Sequence, residues 1–323
     1  MTGLLGRQEN APLALEPTIE EFLAGCRLRG LSPHTLEWYY YALHPFARYA
    51  AARGEHTVDA VGEATVRAFL AEQSARVQPA RVDHYRQAVD RFYKWLLEQG
   101  RVAANPAHTI RKVREPRRLL PAFNEAEVAA LLAQPDTRRF LGLRDHVFML
   151  TLLDTGLRLS EALGLRLDDV DLEGEALRVL GKGGKERLVG LSPALEPHLR
   201  RYLVRRAAAL AGIGRADSPW LFPNQNGDQA ASKGFQLRIR EYGEAAGITR
   251  VRVSPHTFRH TFALWFVRNG GSPFHLQKIL GHASLEMSRR YCELADVDFL
   301  ERQRALSPLS RADLRVGVRR RLR

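Results

Sequence analysis

The chain is poor in cysteine, with Cys26 and Cys292 as the only two in 323 residues. Two such distant thiols build neither a disulfide framework nor a zinc quartet. Long apolar runs are missing as well: none approaches the roughly 20 residues that a membrane span requires. The first ten residues, Met-Thr-Gly-Leu-Leu-Gly-Arg-Gln-Glu-Asn, show no basic start leading into an apolar core. The expectation is therefore a cytoplasmic protein in a reducing environment, with no secretion and no membrane partner. There is no internal repeat. Acidic residues are in deficit, 36 against 49 Lys and Arg, giving a formal net charge of +13 and a pI near 10.2. A balance of that sign argues for a polyanionic partner. Hydrophobic content of 45% and charged content of 26% are ordinary for a globular protein. The length allows two domains, each with its own core.

The position of the charge narrows the partner. Residues 101–118 carry Arg101, Arg111, Lys112, Arg114, Arg117 and Arg118 against Glu115 alone, and residues 301–323 carry eight arginines against Glu301 and Asp313. These two stretches hold 11 of the 13 excess charges. Neither has large apolar residues on one helical face, which favours nucleic acid over a membrane surface. A basic connector between two domains suits a clamp whose linker tracks a DNA backbone. Arg111, Lys112, Arg114, Arg117 and Arg118 are its candidate DNA-binding residues.

Periodicity predicts helices throughout residues 18–100. Ser32-Pro33 reads as an N-cap followed by proline at the first helical position. Leu36, Tyr40, Leu43 and Ala47 then recur at helical spacing. Three further stripes follow the same rule: Ile19, Phe22 and Leu23; Val66, Phe69 and Leu70; and Val82, Tyr85, Val89, Phe92 and Leu96. Four helices make a small bundle that Gly100 ends. Pro106, Pro116 and Pro121 mark a linker. Beyond it the pattern predicts helices from about Asn124 to Leu132 and from about Leu143 to Asp154. Gly156 breaks the second, and a short helix starts near Leu157. Ala176–Leu180 and Arg187–Leu191 alternate around a glycine-rich turn, as a hairpin does. Helices punctuated by proline and glycine complete the chain. The organisation expected is a helical domain at 12–100, a basic linker at 101–120, a mostly helical domain with a small hairpin at 121–300, and a basic tail at 301–323.

Five motifs of the second domain carry side chains suited to an anionic, pentavalent phosphorus. In Thr155-Gly156-Leu157-Arg158 the glycine permits a tight left-handed turn, so the next helix starts beside a cleft. Glu161, three residues on, shares that helical face and can hold the Arg158 guanidinium. Lys182 sits in Gly181-Lys182-Gly183-Gly184-Lys185, at the hairpin tip. Its flexible stem and transferable proton make it a candidate general acid for a leaving alkoxide. Lys185 is the other lysine in reach of a DNA backbone. The Walker spacing and its trailing Ser or Thr are missing. His256 and Arg259, on the first turn of a helix capped by Ser254-Pro255, project together near its positive end. His256 and His260 have a zinc-like spacing, yet Thr257 stands where a metalloprotease helix has glutamate, and no metal is expected. Leu280-Gly281-His282 places a histidine just past a helix end. Tyr291 follows nine residues later, about two turns into the next helix.

With these motifs in order, the chain resembles the tyrosine site-specific recombinases, the integrase family, and within it the Xer-like and mobile-element integrases. The resemblance covers nearly the whole chain: Thr18 to Gly100 as a core-binding domain and Pro121 to Leu300 as a catalytic domain. The family's arginine, hairpin lysine, His-x-x-Arg, histidine and tyrosine fall on Arg158, Lys182, His256, Arg259, His282 and Tyr291. The resemblance implies a two-domain, mostly α architecture forming a C-shaped clamp on DNA. It also implies strand cleavage and rejoining through a covalent 3′-phosphotyrosine, without metal, ATP or other cofactor. The implied partners are two duplex DNA sites held by a homotetramer, with a second recombinase or an accessory protein as further candidates. The implied role is DNA integration and excision, or chromosome and plasmid dimer resolution. Cys292-Glu293 follow the tyrosine where the family often has Thr-His, and the arginine-rich tail holds Pro308.

The residues alone predict the same chemistry. Tyr291 attacks in line, Arg158 and Arg259 bind the non-bridging oxygens, His282 adds a hydrogen bond and Lys182 protonates the leaving oxygen. His256 is placed either to accept the phenol proton or to bind an oxygen. Clustered positive charge is expected to favour the ionised phenol. A type IB topoisomerase, a catalytically silent DNA-binding protein and a phosphodiesterase are the competing classes.

Overall fold

Helix formation begins where the apolar stripe begins: in the computed structural model, α1 (Leu15–Leu28) buries Ile19, Phe22 and Leu23. The structure describes residues 12–111, 121–181, 184–282, 284–295 and 304. They fall into two compact units, divided between the described segments that end at 111 and begin at 121. In the first, α2 (Pro33–Ala51) starts as its sequence requires. Ser32 Oγ accepts from the Thr35 N–H at 3.3 Å, and Pro33 takes the first helical position. With α3 (Glu63–Ser74) and α4 (Pro79–Glu98) these helices enclose one core. Phe22, Tyr39 and Phe92 pack edge to face inside it. One position departs from the predicted stripe. Tyr40 is 46% exposed and its neighbour Tyr39 turns inward, because 3.6-residue periodicity lets either serve the Leu36–Leu43 spacing.

The second unit is built around α6 (Phe140–Thr155), with α10 (Pro255–Arg268) and α8 (Glu196–Ala211) packed on it. Val147, Phe148, Met149 and Leu152 are wholly buried, which explains why no clean one-sided stripe marks this helix. It also starts three residues before its predicted start at Leu143. Next to it stand α5 (Glu125–Leu132) and α7 (Leu159–Leu163); α9 (Ser232–Ala245) packs on α7, and α11 (Pro273–Leu280) and α12 (Leu285–Leu294) pack on α10 and on each other. Asn124 closes a reciprocal capping box with Glu127 at the start of α5. The short α7 begins at Leu159, later than the predicted Leu157, because Arg158 is its N-cap.

The hairpin consists of β2 (Ala176–Leu180) and β3 (Glu186–Gly190), antiparallel with Val179 opposite Arg187. Its second strand lies one residue before the predicted span. An additional two-residue strand, β1 (Val170–Asp171), pairs with β2 and extends the hairpin to three strands. So short a strand has no readable alternation. Among the described residues no helix is long and apolar enough to cross a membrane.

Candidate active site

Two helices of the second unit end on left-handed glycines, and their last carbonyls hold the arginines. Gly156 (φ 63°) closes α6, and Gly281 (φ 61°) closes α11. At Gly156 space is as restrictive as φ, since an added Cβ would lie 2.3 Å from the Phe262 ring. Gly156 O accepts from Arg259 Nη1 at 2.8 Å, and Leu280 O accepts from Arg259 Nη2 at 2.8 Å. Arg158 donates to the same Leu280 carbonyl at 3.3 Å and to Gly281 O at 3.4 Å. These carbonyls sit at negative helix ends, where a guanidinium is favoured.

Glu161 is the counter-ion of the cluster. Its Oε2 accepts from the Arg158 backbone N–H and its Oε1 from Arg158 Nη1, both at 2.9 Å. The carboxylate is 5% exposed, so the pair is no surface bridge. A third arginine completes it. Arg187, on β3, donates to both Glu161 oxygens at 3.1 and 2.9 Å and to Ile279 O at 2.8 Å. Sequence reasoning missed Arg187, although a signal existed. Arg187 and Val189 share the inward face of β3, and an arginine on that face requires a buried acceptor.

Burial opposes charge throughout this cluster. It would raise the Glu161 pKa, but hydrogen bonds from Arg187 and the Arg158 backbone outweigh it, and the carboxyl titrates below its ordinary range. Burial, reinforced by Arg158, lowers Arg259 to about 10, still charged at neutral pH. Burial and the three guanidiniums push His282 down to about 4, so its ring is neutral at pH 7. Its Nδ1 lies 2.9 Å from Ser288 Oγ, and both residues are buried. The Tyr291 ring lies nearly parallel to His282, centroids 6.4 Å apart, and 5.4 Å from the ring of His260. The expected depression of the phenol pKa is not what this arrangement gives. Burial dominates and raises it, with Arg259 offsetting only part.

Five predicted residues thus converge: Arg158, Glu161, Arg259, His282 and Tyr291. His256 is exposed on the first turn of α10, one turn before Arg259. Lys185 is exposed at the hairpin turn, where its carbonyl accepts from Gly181 N–H at 2.7 Å. Lys182 lies outside the described residues, as do Lys112, Arg114, Arg117, Arg118 and nearly all of the basic tail. Arg111 is described and exposed.

A model of the phage integrase family matches residues 121–297, more than half of the chain. The chain belongs to the phage integrase family. A second model, the N-terminal SAM-like domain of phage integrases, matches residues 19–100. The tyrosine recombinase XerC of Myxococcus xanthus is 34% identical over 283 residues, covering 87% of this chain and 94% of its own. Among solved structures, XerH site-specific recombinase bound to palindromic difH substrate in a post-cleavage complex superposes with a TM-score of 0.72. It is 22% identical and covers 90% of this chain and 83% of its own. A lambda integrase tetramer bound to a Holliday junction gives 0.69 at 16% identity, covering 87% and 78%. This integrase-family member is an enzyme, a site-specific tyrosine recombinase.

Proposed function

We propose that this recombinase cuts duplex DNA by attack of the Tyr291 hydroxyl on a backbone phosphorus, in line with the leaving 5′ oxygen. The phenol loses its proton, a 3′-phosphotyrosine forms, and the leaving oxygen takes a proton from Lys182. Arg158 and Arg259 hold the non-bridging oxygens, where charge accumulates, and the His282 ring adds a neutral hydrogen bond. The carrying observation is that Arg158, Arg259 and His282 gather beside the Tyr291 phenol with Glu161 beneath them. Glu161 and the helix-end carbonyls use up only part of the donor capacity of Arg158, and its guanidinium is 39% exposed, open to a phosphate. His256, one turn from Arg259, has two assignments: acceptor of the phenol proton, or phosphate ligand.

One phosphoester replaces another, so the bond energy is kept and the step is reversible without ATP. A hydroxyl from a second duplex can then attack the phosphotyrosine and exchange strands. DNA is the partner and an oligomer on DNA the working form, in the manner of the lambda integrase tetramer on its junction. The finer reading is a homotetramer on two duplex sites. In it, residues 12–100 serve as the core-binding domain, 101–120 as a basic linker with Arg111 at its described end, 121–300 as the catalytic domain and 301–323 as a basic tail.

The test is to incubate the protein with fragmented genomic DNA in EDTA, denature, and sequence the DNA that stays protein-linked, with Tyr291→Phe in parallel. The expected result is adducts at one sequence, absent from the variant, whose DNA affinity is unchanged. Adducts that persist in Tyr291→Phe would move the nucleophile elsewhere.

A further inference from the structure

The helix that carries the nucleophile is held in an unusual way. Ser288 is its buried residue, wholly enclosed, while Leu285, Tyr291, Cys292 and Leu294 are only half-buried. That hydroxyl meets His282 Nδ1 at 2.9 Å, one helical turn before Tyr291. Among the described residues, this polar contact joins the histidine that follows α11 to the helix that presents the phenol.

We propose that Ser288 is a positioning residue: its hydroxyl donates to His282 Nδ1, which keeps the ring proton on Nε2 and seats α12 with Tyr291 beside the arginine cluster. This rests on the reading of His282 as a hydrogen-bond donor to phosphate. A neutral imidazole carries one proton. If Nδ1 held it, Nε2 would offer a lone pair, which repels a phosphate oxygen. With Ser288 Oγ–H pointing at Nδ1, the Nε2–H is free to donate. The groups around the ring agree, since Arg158, Arg187 and Arg259 disfavour a second proton there. The spacing matters equally. Ser288 and Tyr291 are three residues apart and share a helical face, so fixing Ser288 on His282 fixes the azimuth of the phenol. The near-parallel His282 and Tyr291 rings are the geometric result.

The tautomer can be read directly and without a DNA target. Full-length protein labelled with ¹⁵N-histidine is compared with His282→Gln, which assigns the signal, and with Ser288→Ala. The expected result is an Nε2-protonated ring at neutral pH in the unaltered protein and a mixture of tautomers in Ser288→Ala. On a duplex carrying the sequence recovered from covalent adducts, Ser288→Ala should cleave roughly ten- to a hundredfold more slowly at unchanged DNA affinity, the scale of a mispositioned general acid–base or phosphate-binding group. Ser288→Thr, which keeps the hydroxyl, should recover most of that loss. An Nδ1-protonated ring in the unaltered protein would overturn the proposal, as would Ser288→Ala cleaving at the normal rate. Should Ser288→Ala fold poorly, the tautomer of the unaltered protein and the rate of Ser288→Thr still decide. A His282→Gln rate equal to that of the unaltered protein would instead remove the reading of His282 as a phosphate ligand.

Discussion

Arg158 reaches three other residues of the site, and its removal should be felt in the chemistry more than in the fold. It donates to Glu161, Leu280 O and Gly281 O, yet remains partly open to solvent. Arg158→Ala should slow single-turnover cleavage by about a hundredfold or more, the scale of one transition-state contact, with DNA binding little changed. A rate within a few-fold of normal would make Arg158 structural. Arg187 presents the opposite case. It is mostly buried and spends its donors on Glu161 and Ile279 O, so Arg187→Ala leaves a buried carboxylate with one partner fewer. The expected cost is about 3 kcal/mol in a denaturant titration, the low end for breaking a buried pair, because Arg158 stays in place. The titrating groups then set the pH response. His282 titrates near 4 when folded, below its ordinary 6.5, so the unfolded chain takes up a proton in that window that the folded one refuses. Its contribution is fully present above about 6.5 and declines toward pH 4, by at most about 3 kcal/mol. The depressed Glu161 carboxyl adds to this at still lower pH, since its contribution is lost as pH falls through the folded value. Denaturation midpoints measured between pH 4 and 7 should fall with acid, and His282→Gln should flatten the upper part of that slope.

Elements, more than single residues, were legible in the chain. Ser32, Asn124 and Ser254 each predict a helix start, and each accepts a hydrogen bond from the backbone N–H three residues on. Gly156 and Gly281 predict helix ends, and both take positive φ. Most of the functional residues read from the sequence, Arg158, His256 and His282 among them, lie beside such punctuation, because a cap or a left-handed glycine fixes where the next side chain points. Arg187 and Ser288 have no such neighbour. Arg187 owes its role to hairpin register against α11, and Ser288 to where α12 docks, and both depend on contacts far along the chain that local patterning does not encode. The direction of the Tyr291 shift was hidden for the same reason, since burial is a property of packing. Gly156 also tests how tightly the element junction is built. Gly156→Ala combines a left-handed alanine, about 1–2 kcal/mol, with a methyl driven into Phe262 and Leu280, about 1–3 kcal/mol. Thermal unfolding should drop accordingly, and cleavage should fall with it, because Gly156 O anchors Arg259. An unchanged midpoint together with normal cleavage would show that the α6–α7 junction yields easily.

At the scale of the whole molecule the governing quantity is charge. A formal +13 on 323 residues, with most of the excess in 101–118 and 301–323, is more than the site itself needs. The site's three arginines face one carboxylate, Glu161, so the cluster supplies only a small share of that excess. Affinity for duplex DNA must then come mainly from exposed cations, each releasing a counterion as it meets a phosphate. For six to ten such contacts, binding should weaken by about a thousand- to a hundred-thousandfold between 50 and 200 mM salt. Two variants separate the terms. Replacing Arg111, Lys112, Arg114, Arg117 and Arg118 by glutamine should make the logarithmic salt slope shallower by up to about 4.5, about 0.9 per lost contact. Tyr291→Phe, which removes no charge, should leave the slope where it was. Fluorescence anisotropy on a labelled duplex at five or six salt concentrations measures both. A slope that stays steep without the five linker cations would move the phosphate contacts to the basic tail or the helical surfaces. A flat slope in the unaltered protein would contradict DNA as the partner, because no duplex contact of this size forms without displacing counterions.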